Sequence, residues 1–294
     1  MPSITENTTV TADLASLAST IERLYASGAD ADRDEARAVF ATLRAELSAG
    51  RVRAAAPDPD APNGWRVNAW VKQGILVGFR CGDIAAFPGP DPTVPFLDKD
   101  TLPLKPLDPS SRVRLVPGGS SIRDGAFVGA GVICMPPMFI NIGAYVGEDS
   151  LIDSHALVGS CAQVGRRVHV SAGAQIGGVL EPVGALPVII EDDALVGGST
   201  GIYEGAIVRA GAVIAAGTVL TGSTPVYDLP RRRVIRAGHG APVVIPEGAV
   251  VVPGTRPVTA EAGREWGLAL ATPVIVKYRD DKTDTATDLE AWLR

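Results

Sequence analysis

Aliphatic side chains recur at every sixth position through the middle of the chain, with one interruption. This period fits neither a helix, which repeats every 3.6 residues, nor an alternating strand, which repeats every two. It predicts a coil with three flat faces, in which each hexad forms a short strand and a turn and its aliphatic side chain stacks inside a narrow lumen. At three hexads per turn, the repeat makes about six coils. The positions in phase are Val116, Ile122, Val128, Cys134, Ile140, Val146, Ile152, Val158, Val164, Val170 and Ile176, then Ile190, Val196, Ile202, Val208, Ile214 and Leu220.

The interruption lies at residues 177–189. Ile176 and Ile190 are fourteen residues apart, two more than two hexads would require. We expect this segment to leave the coil as an external loop. Insertions on one face of a solenoid often build its binding site.

The segment before the repeat has helical periodicity. Residues 12–49 predict two helices: an apolar stripe from Leu14 to Leu24 ended by Gly28, and another from Ala36 to Leu47 closed by Gly50. Asp30 or Asp32 is expected to cap the second helix.

The segment between these helices and the repeat lacks a single continuous periodicity. A short helix around Ala69–Lys72 is expected, followed by a strand at Ile75–Arg80. Eight prolines between Pro88 and Pro117 predict an extended linker into the coil.

After Tyr227 the hexad phase loosens. Val243–Val252 predicts strands with a turn, Pro273–Tyr278 a closing strand and Asp288–Arg294 a terminal helix. The chain is therefore expected to be mainly β, with an N-terminal helical or α+β domain and linker (1–110), a β-helix (111–228) and a short C-terminal β/α segment (229–294).

Composition excludes several classes of protein. The net charge of −6 argues against a nucleic-acid surface, which needs clustered Lys and Arg. The apolar runs are far shorter than a bilayer span, so no membrane segment is expected. Three cysteines without CxxC spacing predict neither a disulfide scaffold nor a structural zinc site, and favour reduced thiols in a cytoplasmic protein.

Several motifs within the repeat carry a family resemblance. Phe139–Val146 (FINIGAYV), Val158–Gly165 (VGSCAQVG) and Ile176–Pro182 (IGGVLEP) closely resemble segments of the bacterial tetrahydrodipicolinate N-succinyltransferases, as do Arg114–Gly118 and Val274–Lys277. The resemblance implies a left-handed β-helix and a homotrimer with active sites in grooves between neighbouring β-helices. It also implies succinyl transfer from succinyl-CoA to the amine of L-2-amino-6-oxopimelate, in lysine and diaminopimelate biosynthesis. Neither a metal nor a permanently bound cofactor is expected.

The resemblance also implies site residues. Asp153 matches the family aspartate that binds the substrate amine and is the candidate to deprotonate it, and Arg114 matches the arginine that grips a substrate carboxylate. Better-known members carry a second catalytic glutamate where this chain has Gly201. Glu204 matches another acidic position and is the candidate to supply that charge. The alternative is that Asp153 suffices.

Coenzyme A is expected to lie along the groove, with its pantetheine arm hydrogen-bonded to the backbone of the later coils. The candidate contacts are the small residues Ala216, Gly217 and Thr221, with Lys277 for a phosphate group. The sequence contains no phosphate-cradling GxxxxGK[ST] segment.

Three alternatives remain open at this point. The donor could be acetyl-CoA with the same acceptor, or the coil could be a non-catalytic scaffold. A zinc-dependent β-helix carbonic anhydrase needs three histidine ligands, and this chain has only His155, His169 and His239, the last outside the regular repeat. His169 also matches a family histidine, although a lone histidine on a solenoid strand is usually structural.

Overall fold

A computed structural model describes residues 4–91, 93–238 and 241–279, with side chains described except at 4–12, 90, 91 and 94. His239 and the terminal helix expected at Asp288–Arg294 lie outside the described residues.

The centre of the chain is a left-handed parallel β-helix with three faces. Each strand pairs with the strand one coil earlier, so that Tyr145 lies beside Phe127, eighteen residues before it. The first face contains Phe127–Val128, Tyr145–Val146, Gln163–Val164, Ile189–Ile190, Ile207–Val208 and Val244–Ile245. The second contains Arg114–Leu115, Ile133–Cys134, Leu151–Ile152, His169–Val170, Leu195–Val196, Val213–Ile214 and part of Ala249–Pro257. The third contains Ser121–Ile122, Phe139–Ile140, Leu157–Val158, Gln175–Ile176, Gly201–Ile202 and Val219–Leu220.

The lumen confirms the six-residue period. Every predicted inward position from Ile122 to Leu220 is buried, and Val116 at the open end is half-buried. The second residue of each coil strand points inward and the first points outward. Residues at the outward positions and in the turns are therefore the ones available for chemistry.

The external loop leaves the coil after Gln175–Ile176 and returns at Ile189–Ile190, as predicted. Val179 N–H donates to the carbonyl of Ser160 at 3.2 Å, and Leu180 packs against the core of the N-terminal domain. The loop is thereby held at both the coil and the N-terminal domain.

The N-terminal domain is built on three helices: α1 (Ile4–Ala26), α2 (Arg33–Ser48) and α3 (Ala69–Cys81). A 3-10 turn (Gly28–Asp30) joins the first two, and a hairpin of Ala55–Pro57 and Trp65–Val67 precedes α3. The carboxylate of Asp32 accepts a hydrogen bond from Glu35 N–H at 2.9 Å and caps α2, as expected. None of the helices in the described ranges is long and apolar enough to cross a bilayer.

The strand expected at Ile75–Arg80 was wrong, because Ala69–Cys81 is one continuous helix. Val71, Ile75 and Gly78 are buried and lie on one helical face, which packs against α1 and α2. A side chain at Gly78 would collide with the ring of Phe40, so the glycine permits close helix packing. The β-branched residues follow this tertiary packing rather than their strand propensity.

The linker prediction was also incomplete. Ile84–Asp91 and Val94–Lys99 form an antiparallel hairpin within the proline-rich segment, followed by a 3-10 turn at Pro109–Ser111. Prolines are tolerated in this hairpin because both strands are edge strands, with unpaired backbone groups on one side.

The C-terminal segment extends the coil. A hairpin of Val226–Asp228 and Arg233–Ile235 leaves it, and Val244–Ile245 then adds a strand to the first face. Ala249–Pro257 continues the second face and pairs with the closing strand Ala269–Tyr278, with a short helix (Glu261–Glu265) between them. Two coil strands thus follow residue 228, and the division into three domains stays a prediction.

The burial of the cysteines predicts inert thiols. Burial raises the pKa of Cys134 and of Cys161 to about 12 and also raises that of Cys81. At pH 8 the two deepest thiols are then ionised at only about 1 part in 10⁴, and the thiolate is the nucleophile. We expect native protein to release almost no colour from Ellman's reagent, and protein in guanidinium chloride to titrate three thiols. A thiol that reacts within seconds in the native state would contradict this burial.

Candidate active site

Asp153 lies where the chain turns from the second face to the third. It directly follows Ile152, whose side chain fills the lumen, so its own side chain points out of the coil and is 29% exposed. Oδ1 accepts a hydrogen bond from Ser154 N–H at 2.7 Å. This contact fixes the carboxylate and leaves Oδ2 directed at the next coil.

His169 is the nearest titratable neighbour of Asp153. It pairs with Leu151 at an outward position of the second face. The two strands lie one rung apart, where a rung is the step from one coil to the next. Its Nε2 atom lies 4.0 Å from Oδ2 of Asp153, and its side chain is 14% exposed. A carboxylate beside an imidazole can bind a proton and orient the ring. Sequence reasoning favoured a structural role for His169. The spacing could have revealed this contact. His169 lies sixteen residues after Asp153, close to the eighteen residues of one coil, so the two residues are near each other on neighbouring coils.

Arg114 lies on the same face as this pair. Its strand stacks on Ile133–Cys134, which stacks on Leu151–Ile152, so the backbone of Arg114 is two rungs, or about 10 Å, from that of Leu151. The side chain is exposed and forms no ion pair within the described part of the chain. Its guanidinium is therefore available to a carboxylate ligand.

Small residues follow Asp153 along the same edge, which we call the second–third edge. Its next turns, residues 171–174, 197–200 and 215–218, contain only Ser, Ala, Gly and Thr. Within the described residues, the backbone N–H groups of Ala172, Gly198 and Ala216 have no hydrogen-bond acceptor. Each of these turns thus carries only small side chains and one open backbone donor, and Ala216 and Gly217 lie about 14 Å from the turn of Asp153.

Lys277 lies beyond these turns at the same end of the coil. It pairs with Val250 of the strand that stacks on Val213–Ile214, and its side chain is half-buried. The structure therefore places three of the four predicted coenzyme A contacts at one end of the second face and its edge.

Glu204 and Thr221 lie on a different edge of the β-helix, the third–first edge, where the third face turns to the first. Glu204 adopts a left-handed backbone (φ 54°), and its Oε2 accepts a hydrogen bond from Gly222 N–H at 2.7 Å. The Thr221 hydroxyl lies 2.8 Å from that of Thr224. Within one chain, the two predicted catalytic carboxylates are consequently separated by the width of the third face.

A cleft of about 980 Å³ opens beside Glu204. The external loop forms one wall of it, the N-terminal hairpin contributes Asn63 and Val67, and Tyr203 lies on its floor. The cleft is large enough for a small-molecule ligand.

Among the described residues, no cluster of three or more His, Cys, Asp or Glu side chains is arranged to hold a metal ion. The site residues named from the sequence, and the expectation that no metal is needed, stay predictions.

Two family models match the chain. The N-terminal domain model of tetrahydrodipicolinate N-succinyltransferase matches residues 16–81, and a hexapeptide repeat model of succinyl-transferases matches residues 187–222.

Similar proteins extend over nearly the whole chain. A 2,3,4,5-tetrahydropyridine-2,6-dicarboxylate N-succinyltransferase of Nitrobacter winogradskyi is 38% identical, over 90% of this chain and 92% of its own length. One of a Methylobacterium species is 37% identical, over 95% and 99%. Among solved structures, a hexapeptide-repeat acetyltransferase of Vibrio cholerae in complex with acetyl coenzyme A gives a TM-score of 0.31 and 17% identity, over 51% of this chain and 72% of the other. We draw nothing from so low a score.

These relatives are 37–38% identical to the chain and cover 90–95% of its length. The chain belongs to the tetrahydrodipicolinate N-succinyltransferase family.

Proposed function

We propose that this protein transfers a succinyl group from succinyl-CoA to the amine of L-2-amino-6-oxopimelate, the ring-opened form of tetrahydrodipicolinate, in lysine and diaminopimelate biosynthesis. The observation that carries the proposal is the composition of the second face and the second–third edge. A fixed carboxylate, an available guanidinium and a row of open backbone donors lie there in a chain of this family.

Asp153 and Arg114 bind the acyl acceptor in this proposal. The guanidinium of Arg114 pairs with a substrate carboxylate, which its planar fork suits. Asp153 binds the amine and accepts its proton, so that the neutral nitrogen attacks the thioester carbonyl. The C–N bond forms, the C–S bond of the tetrahedral intermediate breaks, and coenzyme A leaves as the thiol or thiolate. Ser154 N–H holds the Asp153 carboxylate, and the imidazole of His169 lies 4.0 Å from its Oδ2 atom.

The pantetheine arm of the donor lies along the small residues of the second–third edge. Its two amide carbonyls accept hydrogen bonds from two of the open N–H groups of Ala172, Gly198 and Ala216, which recur at one coil spacing. Larger side chains there would obstruct the arm. Lys277, at the same end of the second face, binds a phosphate group in this proposal.

The position of Glu204 points to a second copy of the chain. Cyclic trimers pack an edge of one coil against a different edge of the next. Such packing would bring Glu204 of one copy to Asp153 of its neighbour, which one chain cannot do. The exposed aliphatic Val219, on the third face between the two edges, fits a surface that a second copy covers.

The role of Asp153 predicts a large loss of rate in Asp153→Asn. Removing a general base lowers kcat/KM by about two orders of magnitude or more, measured as coenzyme A thiol release with tetrahydrodipicolinate and succinyl-CoA. The matched control is Asp34→Asn, in the exposed first turn of α2, which should keep full activity. Acetyl-CoA in place of succinyl-CoA should give a much lower kcat/KM in the wild type. An Asp153→Asn variant within threefold of the wild type would remove Asp153 from the mechanism.

The row of small residues on the second–third edge predicts that Ala216→Leu weakens donor binding alone. An isobutyl group on the second–third edge should raise KM for succinyl-CoA about tenfold or more, because it obstructs the arm, and leave KM for the acceptor unchanged. Ala130→Leu is the control, since Ala130 holds the corresponding turn position on the edge between the first and second faces. Equal donor KM values in the two variants would place the arm elsewhere.

The separation of the carboxylates predicts complementation between two inactive variants. If each site takes Asp153 from one copy and Glu204 from the next, subunits of Asp153→Asn and Glu204→Gln unfolded and refolded together give about one quarter intact sites in random trimers. Activity should therefore return to about a quarter of the wild-type value. Each variant refolded alone controls for residual rate. No recovery from mixtures whose hybrid trimers are verified by native mass spectrometry would exclude a shared site.

A further inference from the structure

Tyr203 lies flat across two glycines of the third face. A β-carbon added at Gly201 would lie 2.5 Å from ring carbon Cε2 and 2.9 Å from the phenol oxygen, and one at Gly177 would lie 2.8 Å from Cδ1. Gly177 is on the neighbouring rung, where its N–H donates to the carbonyl of Ile202 at 2.8 Å. The two glycines therefore form a slot that the ring fills, and the phenol occupies the space that any side chain at position 201 would take.

The slot directs the ring back along its own strand. Tyr203 begins at the third–first edge beside Glu204, but its oxygen lies over Gly201, towards the second–third edge. Gly201 stands between Gln175 and Val219 on the third face. The hydroxyl is thus placed on the face that separates the two predicted catalytic carboxylates.

The hydroxyl is not used by the fold. Among the described residues it has no hydrogen-bond partner, while the residue is 36% exposed and lines the 980 Å³ cleft with Glu204 and the external loop. A ring held in a glycine slot with an unbonded hydroxyl is a rigid donor on the third face, and little entropy is lost when a ligand accepts its hydrogen bond.

We propose that Tyr203 is a substrate-contacting residue, whose hydroxyl donates a hydrogen bond to an anionic oxygen of the reacting pair. This rests on the proposed function, in which both substrates carry carboxylates and the thioester carbonyl becomes an oxyanion during attack. A phenol hydroxyl on the third face can donate to such an oxygen, whereas a carboxylate at this point would repel it.

The test compares Tyr203→Phe with the wild type in thiol-release assays with each donor. Loss of one hydrogen bond to a charged group should lower kcat/KM about ten- to hundredfold, with an unchanged thermal midpoint because the ring still fills the slot. Tyr25→Phe, in the N-terminal domain, is the control. A loss with succinyl-CoA only assigns the contact to the succinyl carboxylate, and an equal loss with acetyl-CoA assigns it to the acceptor or the oxyanion.

A second variant acts on the ring without removing a polar atom. Gly201→Ala places a β-carbon against the ring, so it should displace the hydroxyl and lower kcat/KM comparably. If the wild type is active and the kcat/KM of Tyr203→Phe stays within threefold of it with both donors, the role of Tyr203 is overturned and the proposed succinyl transfer stands. If the wild type releases no coenzyme A, the proposed function fails and this proposal fails with it.

Discussion

The stacking of one aliphatic side chain per hexad in a narrow lumen is the constraint on which the rest of the structure depends. From Ile122 to Leu220, each inward residue is covered by its counterparts on neighbouring coils and is buried, although each of these strands has only two residues. A strand this short gains little alone, and its stability comes from neighbouring rungs. Because the lumen fixes which residues point inward, it also fixes which side chains remain outside.

The N-terminal domain determines which part of the outside remains open. Arg53 from this domain stacks on the Tyr145 ring at 3.7 Å, and its Nε donates to Gln163 Oε1 at 2.8 Å, so the domain covers the first face. Ile142 and Cys161, from turns of the coil, complete the core of the domain. The second–third edge, with its small residues, lies away from these contacts and is left uncovered by the domain.

A buried lysine joins the external loop to the same domain. Lys72 of α3 has no exposed surface, and its Nζ donates to the carbonyl of Ala185 at 2.5 Å. Burial lowers the pKa of Lys72, since the charged form loses its hydration. One wall of the cleft beside Glu204 is therefore held by a contact between residues 113 positions apart. The coil, the loop and the N-terminal domain together shape the candidate site.

The sequence by itself determined the coil, its lumen residues and the loop. The lumen residues recur at every sixth position along the chain, and the loop interrupts that period. It also predicted the first two helices and the Asp32 cap, which depend on residues close in the chain. The start of the third helix at Ala69 was predicted, but its continuation to Cys81 and the hairpin at 84–99 were missed. In the helix, packing against other elements overrides local strand propensity. Only the tertiary structure placed His169 beside Asp153, put Glu204 on another edge and folded Tyr203 over Gly201. Those placements depend on which rungs become neighbours and on the space between them, which a period along the chain does not encode.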